Sequence, residues 1–236
     1  MIPCLNPEHP PAFPPVSRAL RDPDGLLAAG GSLAPEWILS AYSQGIFPWF
    51  SEGDPILWWS PDPRMTLTPG EARITASLRK TLRRGHYEIR CDTAFPDVMR
   101  ACAAPRSHAT GTWIVDEMQA AYCRLHELGW AHSVETWIDG ELAGGLYGMA
   151  IGQAFFGESM FHRRTDASKI AFAHLARLLH RENYAILDCQ MSTGHLASLG
   201  ATEIPRSHFV AGLARWTRDA RPGRWNADFA DADWSR

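Results

Sequence analysis

The sequence predicts an α+β protein: a small N-terminal domain, then a larger domain in which helices flank a mixed, mainly antiparallel sheet. Three apolar, strand-like runs between residues 131 and 161, joined by two-residue turns, predict a meander of strands. Apolar residues at helical spacing follow over residues 168–181, and a short apolar run follows at residues 185–190. We place the boundary so that residues 1–62 form an arm and the small domain, and residues 63–236 form the larger domain.

Composition restricts the class of protein. The 236 residues are 45% hydrophobic and 21% charged, which is typical of a globular protein. No apolar run reaches the roughly 18 residues that span a bilayer, and the N-terminus lacks a basic start followed by an apolar core. We therefore expect a cytoplasmic protein that does not contact membranes. The net charge of −3 argues against a general basic coat for nucleic acid, but it leaves room for a local basic patch.

Cofactor sites are not indicated. The five cysteines and ten histidines show no spacing typical of a metal site or a redox pair. Gly144, Gly145 and Gly148 do not form a dinucleotide fingerprint and do not open a helix. We therefore expect neither a metal nor a cofactor.

The N-terminal part contains an arm, a helix and an aromatic segment. Residues 3–15 contain several prolines and are predicted to lie extended on the surface or across another element. Pro35 and Gly45 bracket a predicted helix over residues 35–44. Three tryptophans and four prolines lie within residues 46–64, so we predict an irregular backbone there. The aromatic rings form either a proline-stiffened small core or a platform on which a planar group stacks.

A basic helix is predicted over residues 73–85, ending at Gly85. It carries the densest group of cations in the chain, without interleaved acidic residues. Such a face is often only solvated, but it is also a candidate for phosphate contact. The four cations are Arg79, Lys80, Arg83 and Arg84.

Residues 87–128 are predicted to form one strand and two helices. Residues 87–91 are predicted as a strand, and Thr93 is predicted as the N-cap of a helix over residues 94–103. A loop then brings Trp113 to the start of a helix over residues 115–128.

The meander is predicted from its turns. Asp139-Gly140 is a strong hairpin signal, and the glycines of the middle strand predict a bulge or a close approach of another backbone. Glu158 lies in the apolar third strand, where a desolvated carboxylate needs a partner. The strands are predicted over residues 131–138, 141–151 and 154–160.

The strand at residues 185–190 ends in an acid and an amide. The two-residue period of a strand predicts that Asp188 and Gln190 point to the same face. Polar residues at a strand end often only bind the following turn, and that interpretation stays open from these residues alone. A short helix, then a helix over residues 206–217, complete the pattern, and the tail after Arg218 is expected to be less ordered.

A meander, a long helix, a further strand and a final helix is the order of the acyltransferase fold typified by GCN5-related N-acetyltransferases. Members that use acetyl-CoA carry a glycine-bearing pyrophosphate loop before the long helix. The corresponding residues here, 163–168, contain no glycine, so we expect a donor other than CoA.

Eight motifs are distinctive: GLLAAGGSL (25–33), GIFPWF (45–50), WWSPDPR (58–64), GTWI (111–114), FGESMF (156–161), ASK (167–169), LDCQ (187–190) and HLASLGA (195–201). In this order they resemble the bacterial leucyl/phenylalanyl-tRNA–protein transferase family. The resemblance implies a cytoplasmic enzyme that moves Leu or Phe from Leu-tRNA or Phe-tRNA to proteins with an N-terminal Arg or Lys. In bacteria this transfer marks proteins for degradation by the N-end rule pathway. We expect a monomer.

The resemblance also implies roles for particular residues. We predict that the Gln190 amide oxygen accepts a hydrogen bond from the attacking α-amine, while Asp188 holds and polarises Gln190. Glu158 is the expected partner of the cationic amine. Trp49 and Trp113 are predicted to stack on the terminal adenine, and the four cations of the basic helix to contact acceptor-stem phosphates. The donor side chain is expected to contact Leu146, Phe155, Met160, Phe172, Leu175 and Leu187.

Two alternatives stay open from sequence. One is an acyltransferase of the same fold with another donor, such as a peptidoglycan aminoacyltransferase or a CoA-dependent N-acetyltransferase. The other is a noncatalytic tRNA-binding module, in which Trp113 and the basic helix matter but Asp188 and Gln190 do not.

Overall fold

A computed structural model describes residues 2–104, 113–225 and 234, and within them two β-sheets carry the architecture. No helix in this part of the chain is long and apolar enough to cross a membrane. The loop expected before Trp113 lies largely outside the described residues, as does most of the end of the tail. Trp225, at the start of the tail, stacks on His132 with ring centroids 4.5 Å apart, so this point of the tail is packed.

The first sheet has four short strands in the order β1-β2-β4-β3. The arm contributes β1, which pairs in parallel with β2 and so lies across another element, as predicted. The aromatic segment was predicted to be irregular, which holds for residues 49–56 and 60–63 but is wrong for β3 and β4. Trp58 and Trp59 lie in a paired strand, and each indole N–H donates to a backbone carbonyl. The elements are β1 (Cys4–Leu5), β2 (Leu26–Gly30), α1 (Pro35–Ser43), β3 (Phe47–Pro48) and β4 (Leu57–Trp59), with a 3₁₀ turn at Val16–Arg18.

The second sheet has seven strands among the described residues, in the order β11-β5-β10-β9-β8-β7-β6. The elements are β5 (Arg64–Leu67), α2 (Ala76–Arg84), β6 (Glu88–Cys91), α3 (Phe95–Ala103), α4 (Asp116–Glu127), β7 (Ala131–Ile138), β8 (Glu141–Ile151), β9 (Ala154–His162), α5 (Ala167–Arg181), β10 (Ile186–Gln190), α6 (Gly194–Ser198), β11 (Thr202–Ile204) and α7 (Arg206–Trp216), with a 3₁₀ turn at Pro69–Glu71.

The strand pairing confirms the predicted α+β class and the predicted meander of three strands. Strands β7, β8 and β9 pair antiparallel, and β10 joins β9 in parallel after the crossover through α5. The α+β fold and the element order expected for the acyltransferase fold are therefore confirmed. Strands β5 and β11 were not predicted. They extend the sheet beyond β10, where β5 pairs antiparallel with both of its neighbours.

One predicted helix cap is wrong. Thr93 does not cap α3, whose N-cap residue is Ala94 and which has no side-chain cap. Instead the carboxylate of Glu135 accepts the backbone N–H groups of Thr93 and Ala94, at 3.0 and 2.8 Å. An acid on the neighbouring strand β7 thus satisfies two backbone amides at the start of α3.

The hydrophobic core has two main parts. The first contains Trp37, Tyr42 and Trp58 of the N-terminal region together with Phe95 of α3 and Phe156 of β9. The second lies between the sheet and α5. Because the first part is shared between both sheets, the chain packs as a continuous structure across residue 62. The division of the chain into two domains at that residue stays a prediction.

Gly144 allows α5 to lie directly on β8. A Cβ atom at this position would lie 2.5 Å from the Cβ of Ala167 and 2.9 Å from the backbone N of Ser168. The Thr136 hydroxyl donates to the Ala167 carbonyl at 2.9 Å and holds the same helix end. The close approach predicted for the middle strand is therefore confirmed at Gly144.

We expect Gly144→Ala to destabilise the protein by about 1–3 kcal/mol, since α5 must shift to admit the methyl group. Urea unfolding of the variant and the unaltered protein measures this difference. Gly194→Ala is the matched control, because a Cβ there meets no atom within 4 Å. Equal losses in both variants would contradict the close-packing explanation.

Candidate active site

A cavity of about 300 Å³ opens where strands β9 and β10 stop pairing. Their recorded register ends at Phe156 and Asp188. Just beyond this point each strand is irregular: the β8–β9 register shifts around Glu158, and the β10–β5 register shifts between Asp188 and Gln190. Bulges re-aim side chains, and these two bring Glu158 and Gln190 together at the cavity wall.

The cavity contains most of the residues expected to bind substrate. Trp49, Trp113, Leu146, Met160, Phe172, Leu175 and Leu187 line it, together with Glu158 and Gln190. Phe155 does not line it, which corrects the prediction. Its ring is fully buried and packs 5.5 Å from the ring of Trp225, so it supports the wall from behind.

Glu158 is held by three donors. Oε1 accepts hydrogen bonds from the Tyr42 hydroxyl at 2.7 Å and from Gln190 Nε2 at 3.0 Å, while Oε2 accepts from the Tyr122 hydroxyl at 3.2 Å. The two tyrosine hydroxyls also contact each other.

Burial changes the acidity of the Glu158 carboxyl group. The pKa of Glu158 is raised from its ordinary value of 4.5 to about 7, mainly by desolvation and to a smaller extent by the negative charge of Asp188. The hydrogen bonds from Tyr42, Gln190 and Tyr122 act in the opposite direction. Glu158 is thus a carboxyl group that exchanges a proton near neutral pH at the wall of the cavity.

Asp188 forms a buried ion pair with Arg64. Arg64 Nε and Nη2 donate to the two carboxylate oxygens at 2.8 and 2.7 Å, and both side chains are at most 1% exposed. The guanidinium also donates to the Gly45 carbonyl at 3.2 Å. It lies 4.8 Å from the ring centroids of both Phe47 and Phe209. This arrangement anchors the end of β10 to the N-terminal region.

The contact between Asp188 and Gln190 differs from the predicted one. Asp188 Oδ1 accepts the backbone N–H of Gln190 at 3.0 Å, while the Gln190 side chain donates to Glu158. The prediction that both side chains share one face is also wrong. Gln190 has a positive φ of 62°, at the bulge, so its side chain lines the cavity whereas Asp188 turns towards Arg64.

Three polar residues of the site were not predicted: Arg64, Tyr42 and Tyr122. An acid within an apolar strand indicates that some partner exists, but Arg64 lies 124 residues from Asp188 and no spacing connects them. The tyrosines fit ordinary core positions of α1 and α4, and both are in fact fully buried. The sequence carries no local signal that their hydroxyls meet at Glu158.

The basic helix lies outside the cavity. None of the residues of α2 lines it, and Lys80, Arg83 and Arg84 are exposed while Arg79 is half-buried. Their contact with acceptor-stem phosphates stays a prediction.

We expect Asp188→Asn to destabilise the protein by about 3–5 kcal/mol, because Arg64 would remain buried without a counter-charge. Chemical denaturation measures the loss. Glu88→Gln is the matched control: Glu88 and Arg90 form the same forked pair at 2.8 and 2.7 Å on the surface. The Glu88→Gln variant should lose much less stability. Stability losses of similar size in the two variants would argue against burial as the cause.

The titration of Glu158 should appear in the pH dependence of stability. Between pH 4.5 and about 7 the folded protein keeps a proton that the unfolded chain has lost, so stability from this group falls as the pH rises through that window. Thermal unfolding from pH 5 to 8 should therefore show the unaltered protein losing stability relative to Glu158→Gln. A difference between the two proteins that does not change with pH would refute the raised pKa.

Among solved structures, a GCN5-related N-acetyltransferase from Kribbella flavida is similar with a TM-score of 0.37 and 10% sequence identity, over 69% of this chain and 58% of that chain. The sequence profile of the leucyl/phenylalanyl-tRNA protein transferase matches residues 66–214, and the profile of that family's N-terminal domain matches residues 31–62.

Two full-length relatives carry the same name. The leucyl/phenylalanyl-tRNA–protein transferase of Azoarcus sp. (strain BH72) is 60% identical and aligns over 100% of both chains. That of Chromobacterium violaceum is 63% identical over 95% of both chains. The family profile covers more than half of this chain, and these relatives cover nearly all of it. The chain therefore belongs to the leucyl/phenylalanyl-tRNA–protein transferase family.

Proposed function

We propose that this protein moves Leu or Phe from Leu-tRNA or Phe-tRNA to proteins that begin with Arg or Lys, marking them for N-end rule degradation, and that it acts as a monomer in the cytoplasm. Membership of the family supports aminoacyl transfer from tRNA to protein N-termini. The observation that carries the finer proposal is one cavity in which an apolar wall meets the Glu158–Gln190 pair.

The apolar wall suits the donor side chain. Leu146, Phe172 and Leu175 are buried aliphatic or aromatic residues, and none of the three offers a charged partner to an amino-acid side chain. A hydrophobic cavity separates similar apolar groups by only about 1–3 kcal/mol per methylene. Acceptance of both Leu and Phe follows from such a wall.

The two tryptophans suit the nucleotide that carries the donor. Trp49 and Trp113 line the same cavity as the apolar wall. Stacking of a base on an aromatic ring contributes about 1–3 kcal/mol and needs no wide basic surface. We assign the terminal adenine to these rings, in keeping with a net charge of −3.

Transfer needs positioning and the movement of one proton. The amine nitrogen attacks the ester carbonyl carbon, the bond to the ribose oxygen breaks, and a proton leaves the amine as the ribose oxygen gains one. An aminoacyl ester is already activated, so no covalent enzyme intermediate is required. Holding amine and ester together accounts for up to about 7–11 kcal/mol of the barrier.

Gln190 is assigned to orient the amine. Its Nε2 donates to Glu158, which leaves Oε1 to accept a hydrogen bond from the nucleophile. Glu158 is assigned to attract the cationic amine and to take up a proton near neutral pH. Asp188 is assigned a positioning role, since Arg64 and the Gln190 backbone already occupy its oxygens. A ribose hydroxyl of the tRNA is the alternative carrier of the proton.

Transfer assays test this proposal. Labelled Phe-tRNA or Leu-tRNA is offered with peptides that begin with Arg, Lys or Ala, and with an N-acetylated Arg peptide. We expect transfer to the free Arg and Lys peptides only, without competition by acetyl-CoA. Binding of tRNA without transfer would instead support a noncatalytic module, and competition by acetyl-CoA would support another donor.

The same assay tests the role of Gln190. Gln190→Ala should lower kcat by about 10²–10⁴-fold if its oxygen assists proton movement and orientation. Gln153→Ala is the matched control, because Gln153 lies in the exposed turn between β8 and β9. Full activity of a folded Gln190→Ala variant would reject the assignment.

A further inference from the structure

A group of basic side chains borders the mouth of the cavity and has no role in the chemistry described above. His195, in α6, lines the cavity and is exposed. The neighbouring rim residues Met191 and Thr193 are also exposed, so the cavity meets solvent along the segment between β10 and α6.

Two more basic side chains lie within electrostatic range of His195. Partial burial lowers the pKa of His195, and the positive charges of Lys169 and His162 lower it further. They come from three elements: His162 ends β9, Lys169 lies in the first turn of α5, and His195 belongs to α6.

The positions of His162 in its strand and of Lys169 in its helix also place both residues at the mouth of the cavity. His162 lies two residues after Met160 on β9, and Lys169 lies one helical turn before Phe172 on α5. Met160 and Phe172 both line the cavity. Residues two apart on a strand share a face, and residues three apart on a helix are neighbours, so both basic residues continue the cavity wall outward.

The first turn of α5 adds to the positive potential. The helix has 15 residues, and no side chain caps its N-terminus. Its dipole therefore favours an anion near Lys169. Asp166 lies beside Lys169 at 3.2 Å, but that pair is partly exposed and holds Lys169 only weakly.

We propose that His162, Lys169 and His195 form a phosphate-binding rim that receives the phosphodiester group on the 5′ side of the terminal adenosine. This inference rests on the proposed function. The acyl group is esterified to the terminal ribose, so a donor whose acyl group fills the cavity carries its nearest phosphate at the mouth. Lysine binds phosphate as a point charge, and its hydrogen bonds to the anion are charge-assisted.

The rim also separates the two substrates by charge. The cationic amine of an acceptor is attracted to Glu158 and repelled by the phosphate-binding rim, whereas a tRNA end has the opposite preference. The site therefore directs donor and acceptor to different sides of the cavity mouth.

The test compares two donors that differ in one phosphate-bearing nucleotide. Phenylalanyl-adenosine has no phosphate, and phenylalanyl-CpA has one phosphodiester next to the terminal adenosine. The measured quantity is the ratio of kcat/KM for the second donor to that for the first, with an Arg peptide as acceptor. Lys169→Gln should lower this ratio about tenfold, through KM, and Lys169→Arg should restore most of it.

Controls separate the possible failures. Arg181→Gln, at the far end of α5, should give the same ratio of kcat/KM values as the unaltered protein. In a salt titration with Phe-tRNA, Lys169→Gln should reduce the slope of log affinity against log salt by about one. An unchanged ratio and slope in Lys169→Gln, with the unaltered protein active on both donors, overturns the inference alone. No transfer from either donor by the unaltered protein overturns the proposed function and the inference with it.

Discussion

The buried ion pair between Arg64 and Asp188 is the constraint on which the site depends. Two charges without solvent are costly unless they are paired and hydrogen-bonded. Here the guanidinium donates to both Asp188 oxygens and to the Gly45 carbonyl, and Asp188 also accepts the Gln190 backbone N–H. Because Arg64 opens strand β5 and packs between Phe47 and Phe209, the pair fixes the end of β10 relative to the N-terminal region and α7. The ion pair therefore holds in place the elements that surround the site.

The geometry of the cavity depends on this ion pair between Arg64 and Asp188. The Asp188 oxygen that faces Arg64 also holds the Gln190 backbone in a left-handed conformation, which turns the Gln190 side chain out of the strand alternation. The side chain then meets Glu158, whose own bulge lies on β9. Irregular backbone at two neighbouring strands is thus used to place an amide and a carboxyl group at one wall, a common use of bulges.

Local patterns predicted much of the fold, while long-range partners could not be predicted. The meander with its Asp139-Gly140 turn, the helix α5 and the strand ending in Asp188 and Gln190 each have a signal within a few residues. Other features depend on residues far apart in sequence. These are the four-residue strand β5, the hydrogen bond from the Thr93 backbone N–H to Glu135, and the ion pair of Arg64 with Asp188. Of the site, motif resemblance supplied Glu158, Gln190 and the tryptophans. It did not reveal that Tyr42 and Tyr122 share the Glu158 carboxylate, because a buried tyrosine is ordinary core.

We propose that Asp188 acts in this aminoacyltransferase by position and not as a base. The most direct test is the single-turnover rate of transfer in the Arg64→Met/Asp188→Asn double variant and in each single variant. If an unpaired buried charge causes the loss, the double variant removes it, while the Asn oxygen can still accept the Gln190 N–H. The account predicts that the double variant transfers faster than either single variant. A folded double variant as slow as Asp188→Asn would contradict it and would assign the carboxylate a direct part in the chemistry.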